Sequence, residues 1–209
     1  MTDQAGGVAL IVGIASAAYG AFQYKKDKYE MALVTSNVDN KKYLVRNMAD
    51  KVDAADRLAN IRGKIIRLMR YLEQTYKDRP FVKQIIRNFD AAPERFAEST
   101  PDAAFTSYSV NKGEKVYMCL RQRDETEQLV DENILVFVAL HEMSHVGTKS
   151  IGHTKEFWNH FAWLLERAEA LGVYEYQDFA AHPVEYCGVH ITDSPKYKQN
   201  MQDDTHPQQ

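Results

Sequence analysis

The segment Asn133-Ile-Leu-Val-Phe-Val-Ala-Leu140 runs directly into His141-Glu142-Met143-Ser144-His145. A helix that is apolar nearly all round belongs in the interior of a fold. Two imidazoles and a carboxylate at the end of such a helix cost free energy unless something partners them. The spacing of four puts His141 and His145 on one face, one turn apart, where two nitrogens can hold one zinc ion. Glu142 sits beside the first ligand, placed to take a proton from a zinc-bound water. Zinc lowers the pKa of such a water toward ~7, so a carboxylate suffices as base.

Zinc in a catalytic site needs a third protein ligand and an open position. After His145 the chain reads Val146-Gly147-Thr148-Lys149-Ser150-Ile151-Gly152-His153. Gly147 can end the helix, Gly152 can turn the chain back, and His153 then arrives at the start of the next helix with Thr154 as its N-cap. His153 is the preferred third ligand. Glu166, on the following helix, is the alternative. The metzincin pattern is excluded, since it needs Gly and His where Thr148 and Ile151 stand.

Around this helix the pattern predicts an alternation of element types. Thr106–Val110 and Lys115–Leu120 read as a hairpin about the turn residues Asn111-Lys112-Gly113-Glu114. Thr126 or Asp131 starts the histidine-bearing helix. A second helix runs from Thr154 to Leu171, with Phe157, Phe161, Leu164, Leu165 and Ala168 on one stripe and Gly172 ending it. Phe157 and Trp158 are expected to pack the two helices together, and His160 to be a packed core histidine. Tyr186, His190, Tyr108 and Tyr117 are candidate oxyanion donors by residue type alone. Lys115–Arg121 is the candidate edge strand for an extended substrate.

The run His141-Glu-Met-Ser-His145 followed by His153-Thr-Lys-Glu-Phe157-Trp158 resembles the small zincin metallopeptidases of the WLM and SprT-like group. Tyr117-Met-Cys-Leu-Arg121 and Pro183-Val-Glu-Tyr-Cys-Gly188 are also similar to metallopeptidase-like proteins of large DNA viruses of algae. The resemblance covers about Ser107 to Pro195. It implies an α+β minimal zincin domain, with the active-site helix and a partner helix on a small, mostly antiparallel sheet. It implies His141, His145 and His153 as zinc ligands and Glu142 as the base. The seven residues between His145 and His153 depart from the shorter WLM spacing.

The N-terminal third reads differently. Gly6–Phe22 is 17 residues long and carries no charge. As a helix it spans ~25 Å at ~1.5 Å per residue, within the range for a membrane-spanning helix. Lys25, Lys26 and Lys28 follow, which puts the rest of the chain on the cytoplasmic side of a single-pass anchor. Ala9, Gly13, Ala17 and Ala21 fall four apart, a stripe that permits pairing of two anchors into a homo-oligomer. From Val38 to about Lys77 apolar residues recur at steps of three and four, predicting one amphipathic helix, and Pro80 opens a shorter one through Phe89.

Charge sorts along the chain. The whole carries −3, yet between Lys25 and Asp90 there are 16 Lys and Arg against 9 Asp and Glu. Arg57, Arg62, Lys64, Arg67 and Arg70 make a basic helix face, read as a solvated face rather than a lipid or nucleic-acid surface. The near-neutral total argues against nucleic acid as a partner. A single bridge between Cys119 and Cys187 is open, but sparse cysteine usage reads rather as two free thiols in a reducing compartment. Tyr197–Gln209 has almost no apolar content and is expected to be a disordered tail.

The expected organisation is a membrane anchor with its basic flank at 1–28, a basic helical segment at 29–90, a zincin-like domain at 91–195 and a tail at 196–209. The expected function is a membrane-anchored zinc endopeptidase that hydrolyses peptide bonds through a zinc-bound water activated by Glu142. Its partner is a peptide or protein substrate. The alternative is a non-enzymatic, metal-stabilised membrane adaptor that binds anionic lipid or nucleic acid through the basic helix.

Overall fold

The computed structural model describes residues 30–110 and 114–195. The chain opens with β1 (Met31–Thr35) and β2 (Lys42–Arg46), an antiparallel pair with Leu33 opposite Leu44. Asn40, in the left-handed region at φ 57°, turns the chain between them. Helix α1 (Lys51–Tyr76) follows, then α2 (Pro80–Asn88), a 3-10 turn at Pro93–Arg95 and β3 (Phe96–Glu98). The hairpin β4 (Tyr108–Val110) and β5 (Lys115–Met118) precedes the histidine-bearing α3 (Glu132–Gly147). Helix α4 (Lys155–Ala170) and a small hairpin, β6 (Val184–Tyr186) with β7 (Val189–Ile191), complete the fold. The class is α+β, as expected.

The main sheet has the order β1-β2-β3-β5-β4. Its β2–β3 and β3–β5 pairs are parallel, and its outer pairs are antiparallel. This corrects the expectation of a mostly antiparallel sheet: α1 and α2 cross over between β2 and β3, and such a crossover returns the chain parallel. The hairpin forms where expected, Tyr108 pairing with Tyr117 and Val110 with Lys115. Its expected turn, Asn111-Lys112-Gly113, lies outside the described residues. The edge strand at this end of the sheet is β4, not the Lys115–Arg121 segment, because β5 lies between β3 and β4.

The amphipathic helix expected from Val38 begins only at Lys51, and Leu44 and Val45 belong to β2. Tyr43 and Val45 are fully buried, the alternation of a half-buried strand, while Ala55, Leu58, Ile65, Leu68 and Leu72 carry the helical stripe into the same core. β2 and β3 pair across the boundary expected near residue 90, and α1, α2, α3 and α4 share one buried cluster. Residues on both sides of position 90 thus contribute to one core.

The basic face of α1 is largely spent on internal acceptors. Arg57 donates to the carbonyl of Val130 (2.9 Å), and Arg62 to that of Ala91 (2.6 Å) and to Asp39 (3.1 Å). Arg67 donates to the carbonyls of Leu171 (3.1 Å) and Gly172 (2.7 Å), and Lys64 pairs with Glu132 at 2.7 Å. These bonds tie α1 to the start of α3 and the end of α4.

The single-pass membrane location is corrected. Among the described residues no helix is long and apolar enough to cross a membrane. The stretch Gly6–Phe22 that raised the expectation, and the tail from Tyr197, lie outside the described residues. The free-thiol reading is also corrected, since Cys119 and Cys187 form a disulfide across 68 residues of sequence.

Candidate active site

Helix α3 is anchored at its start by Asp131, whose carboxylate accepts from the N–H groups of Asn133 (2.8 Å) and Ile134 (3.3 Å). Twelve of its residues are buried, which fixes its rotation and aims His141 and His145 to one side. The helix ends after Gly147, where a β-carbon would meet the Phe81 ring of α2 at 2.3 Å. The role of this glycine is thus close helix approach. The chain then runs to Gly152 at φ 79°, turns back, and presents His153 just before α4. Thr154 caps α4 by accepting from the N–H of Phe157 (3.3 Å).

These elements bring three imidazoles to one point. The Nε2 atoms of His141 and His145 are 3.2 Å apart, those of His145 and His153 3.2 Å, and those of His141 and His153 3.0 Å. Each Nε2 carries either a proton or a lone pair. Around a triangle of three such atoms, at least one pair must face like to like, whichever protons are assigned. A cation at the centre resolves this. Zinc binds imidazole nitrogen at ~2.0–2.1 Å, which places tetrahedral ligand nitrogens ~3.3 Å apart. The trio therefore fits zinc. Among the described residues, no other group of three His, Cys, Asp or Glu brings ligand atoms so close together. His141 and His145 are half-buried and His153 is exposed, so the site is open on one side.

Packing holds the rings. Phe157, fully buried, stacks on His145 at 4.2 Å between centroids and meets His141 and His153 edge-on, each at 4.9 Å. Burial, with the charges of His145 and His153, pushes the His141 imidazole down to about 3. It is neutral at any ordinary pH, the form that offers a lone pair. Glu142, the residue after His141 on α3, is 6% exposed. Burial pushes its carboxyl up to about 7, an effect opposed by hydrogen bonding from the hydroxyl and N–H of Ser109 on β4. Ser109 escaped the sequence reading because only the β4–β5 register shows that it faces α3.

Glu166 does not join the histidines. Its carboxylate pairs with Arg167 at 2.9 Å and lines a separate cleft with Arg79, Phe81, His160 and Trp163. His160 also belongs to that cleft, bonded to the Thr148 hydroxyl (2.8 Å) and stacked on Phe81. Trp158 departs from its expected packing role: it is 42% exposed and stacks on His153. The Tyr186 hydroxyl is committed elsewhere, donating to the Cys119 carbonyl (3.0 Å) and sharing a hydrogen bond with Ser107 (2.6 Å). Tyr108 and Tyr117 stack on each other, and His190 is exposed on β7.

Comparison with known proteins now bears on this geometry. The chain is 35% identical over 186 residues to the uncharacterized protein R325 of Acanthamoeba polyphaga mimivirus, covering 88% of this chain and 93% of that one. It is 36% identical over 70 residues to the uncharacterized protein 136R of Invertebrate iridescent virus 6, covering 33% of this chain and 39% of that one. The crystal structure of Wss1 from Saccharomyces cerevisiae superposes with a TM-score of 0.45 at 22% identity, covering 61% of this chain and 87% of that one. The WLM domain profile matches residues 37–208, a span that takes in α1 and strands β2 to β5 as well as all three histidines. On the extent of that match, the chain belongs to the WLM domain family.

Proposed function

We propose that this protein is a zinc-dependent endopeptidase, with His141, His145 and His153 as the metal ligands and Glu142 as the general base. The observation that carries the reading is the convergence of three imidazole nitrogens within 3.0–3.2 Å, two of them from the helix turn that also carries Glu142, whose carboxyl burial pushes up to about 7. Zinc, when bound, supplies Lewis-acid polarisation of a peptide carbonyl and acidifies a water. Glu142 takes one proton from the attacking water and delivers it to the departing amide nitrogen. A carboxyl near 7 suits both halves of that transfer, since it accepts more readily than an ordinary carboxylate and gives the proton back near neutrality. Phe157 keeps the rings oriented, and the exposed side at His153 leaves room for substrate. Among the described residues β4 is an outer strand of the sheet, and beside Glu142 an extended peptide can add a strand to it.

The adaptor alternative is less well supported. Arg57, Arg62, Lys64 and Arg67 are engaged within the fold, and a purely structural zinc site has no use for Glu142.

The test is zinc content and cleavage of an unfolded polypeptide, comparing wild type with Glu142→Gln. The expected result is one zinc per chain in both, with cleavage reduced by about 10²-fold or more in the variant. Equal cleavage by the two proteins would overturn the reading.

A further inference from the structure

The disulfide between Cys119 and Cys187 has no part in the chemistry above, yet hydrogen bonds connect its surroundings to β4, the strand whose Ser109 bonds Glu142. Cys119 directly follows β5. Cys187 sits at the tip of the β6–β7 hairpin at φ 52°, followed by Gly188 at φ 81°. Two positive φ values make the tight turn that joins such strands, and a non-glycine residue adopts the first at a cost. The hairpin has only three residues per strand and is not part of the main sheet. Isolated two-stranded hairpins of this kind are marginal in water. Something else must hold it down.

The bond docks it onto 119–122. Cys187 donates its N–H to the Gln122 side chain (2.8 Å), and Gln122 donates back to the Glu185 carbonyl (2.9 Å). Tyr186, 3% exposed, joins Ser107 and the Cys119 carbonyl through its hydroxyl. Ser107 in turn accepts the N–H of Cys119 at 3.2 Å and leads into β4, the strand whose Ser109 faces Glu142. The connection from sulfur to catalytic wall is continuous.

We infer that the Cys119–Cys187 disulfide is a redox-controlled latch that positions β4 through Tyr186 and Ser107. Its consequence for cleavage, though not the latch itself, rests on the peptidase reading. Cys119 is 4% exposed and Cys187 2%. Cys119 lines a cavity of about 190 Å³ together with Arg121, Gln122 and Arg123. The thiolate of a small dithiol attacks Cys119 Sγ, forming a mixed disulfide and releasing Cys187, which takes up a proton. The second thiol of the reagent displaces Cys119 and closes its own disulfide. The departing Cys119 thiolate takes up a proton. Two electrons pass from the dithiol to the protein, and two protein thiols result.

The experiment uses the full chain purified without reductant. Alkylation with mass detection is expected to label neither cysteine before dithiothreitol and both after it. Hydrogen exchange is expected to speed about tenfold or more at 108–110 and 184–191 on reduction, while α3 and the zinc content stay unchanged. Cleavage is expected to fall by about tenfold or more. The Cys119→Ser/Cys187→Ser variant should match the reduced protein and ignore dithiothreitol. If it does not fold, the reduced wild type carries the comparison. Exchange that changes as described without any cleavage in either state would leave the latch standing and sink the peptidase reading. Labelling of both thiols before reduction, or unchanged exchange at β4 and the hairpin after it, would overturn the latch.

Discussion

Gly147, at the end of α3, faces the Phe81 ring of α2 so closely that an added β-carbon would lie 2.3 Å from Cε2 and 3.0 Å from the β-carbon of Ile85. Phe81 cannot swing away, because His160 stacks on one side of it and Trp163 meets it edge-on. Gly147→Ala is therefore expected to push α2 and α3 apart, at a cost of ~1–3 kcal/mol for overpacking. A urea titration checks this. An unchanged midpoint would mean that the two helices do not meet as described.

Arg121 is buried on both sides of a double ion pair, to Glu98 and, at 2.6 Å, to Asp50. Glu98 also accepts the N–H of Arg46 at 2.7 Å. The cluster joins the start of α1 to β2, β3 and the strand end that leads to Cys119. Replacing Arg121 by Met leaves the Glu98 carboxylate buried without its cation, an error that costs ~3–5 kcal/mol. Thermal melting of Arg121→Met beside wild type measures it, and a loss below ~1 kcal/mol would show the pair to be dispensable.

How far the sequence carried depended on how local each signal was. His141, Glu142 and His145 declare their geometry by spacing alone, and Gly152 with Thr154 returns the chain to His153 within eight residues. The helices starting at Pro80, after Asp131 and after Thr154 were equally legible from their first residues. Strand β2 was not. Over five residues a period of two cannot be told from the three-and-four steps that Leu44 and Val45 make with Met48 and Val52. Strand β3 has three residues, and one of them is a buried glutamate whose cation stands 23 positions later. The disulfide spans 68 residues, so no pattern within either half points to the other.

His160 favours its neutral form more than a free imidazole does. Burial lowers its pKa, the charge of Arg79 adds to that, and the carboxylate of Glu156 opposes it. The folded pKa lies below the unfolded value near 6.5, so the unfolded chain binds the proton first. Full stability is present above about pH 6.5, and this contribution is lost as pH falls from there through the folded pKa. His160→Gln, which keeps a hydrogen-bonding group near Thr148, is expected to flatten that part of the pH dependence. Urea midpoints at about pH 7.5 and 5.5 for both proteins provide the check. Parallel losses in the two would remove His160 as the cause.

The metal ligands are separable by stability as well as by content. A ligand that binds only the folded state stabilises it by RT ln(1 + [L]/Kd), about 2.7 kcal/mol at a hundredfold excess over Kd. Dialysis against a chelator is expected to lower the melting temperature, and added zinc to restore it. His153→Ala removes one corner of the 3.0–3.2 Å triangle and should abolish the zinc-dependent shift while changing the metal-free melting point little, since this residue is exposed. Glu166→Ala should keep the shift in full, because that carboxylate faces Arg167 and the opposite cleft. A shift that survives loss of His153 and disappears with Glu166 would transfer the third ligand to α4 and discard the three-histidine site.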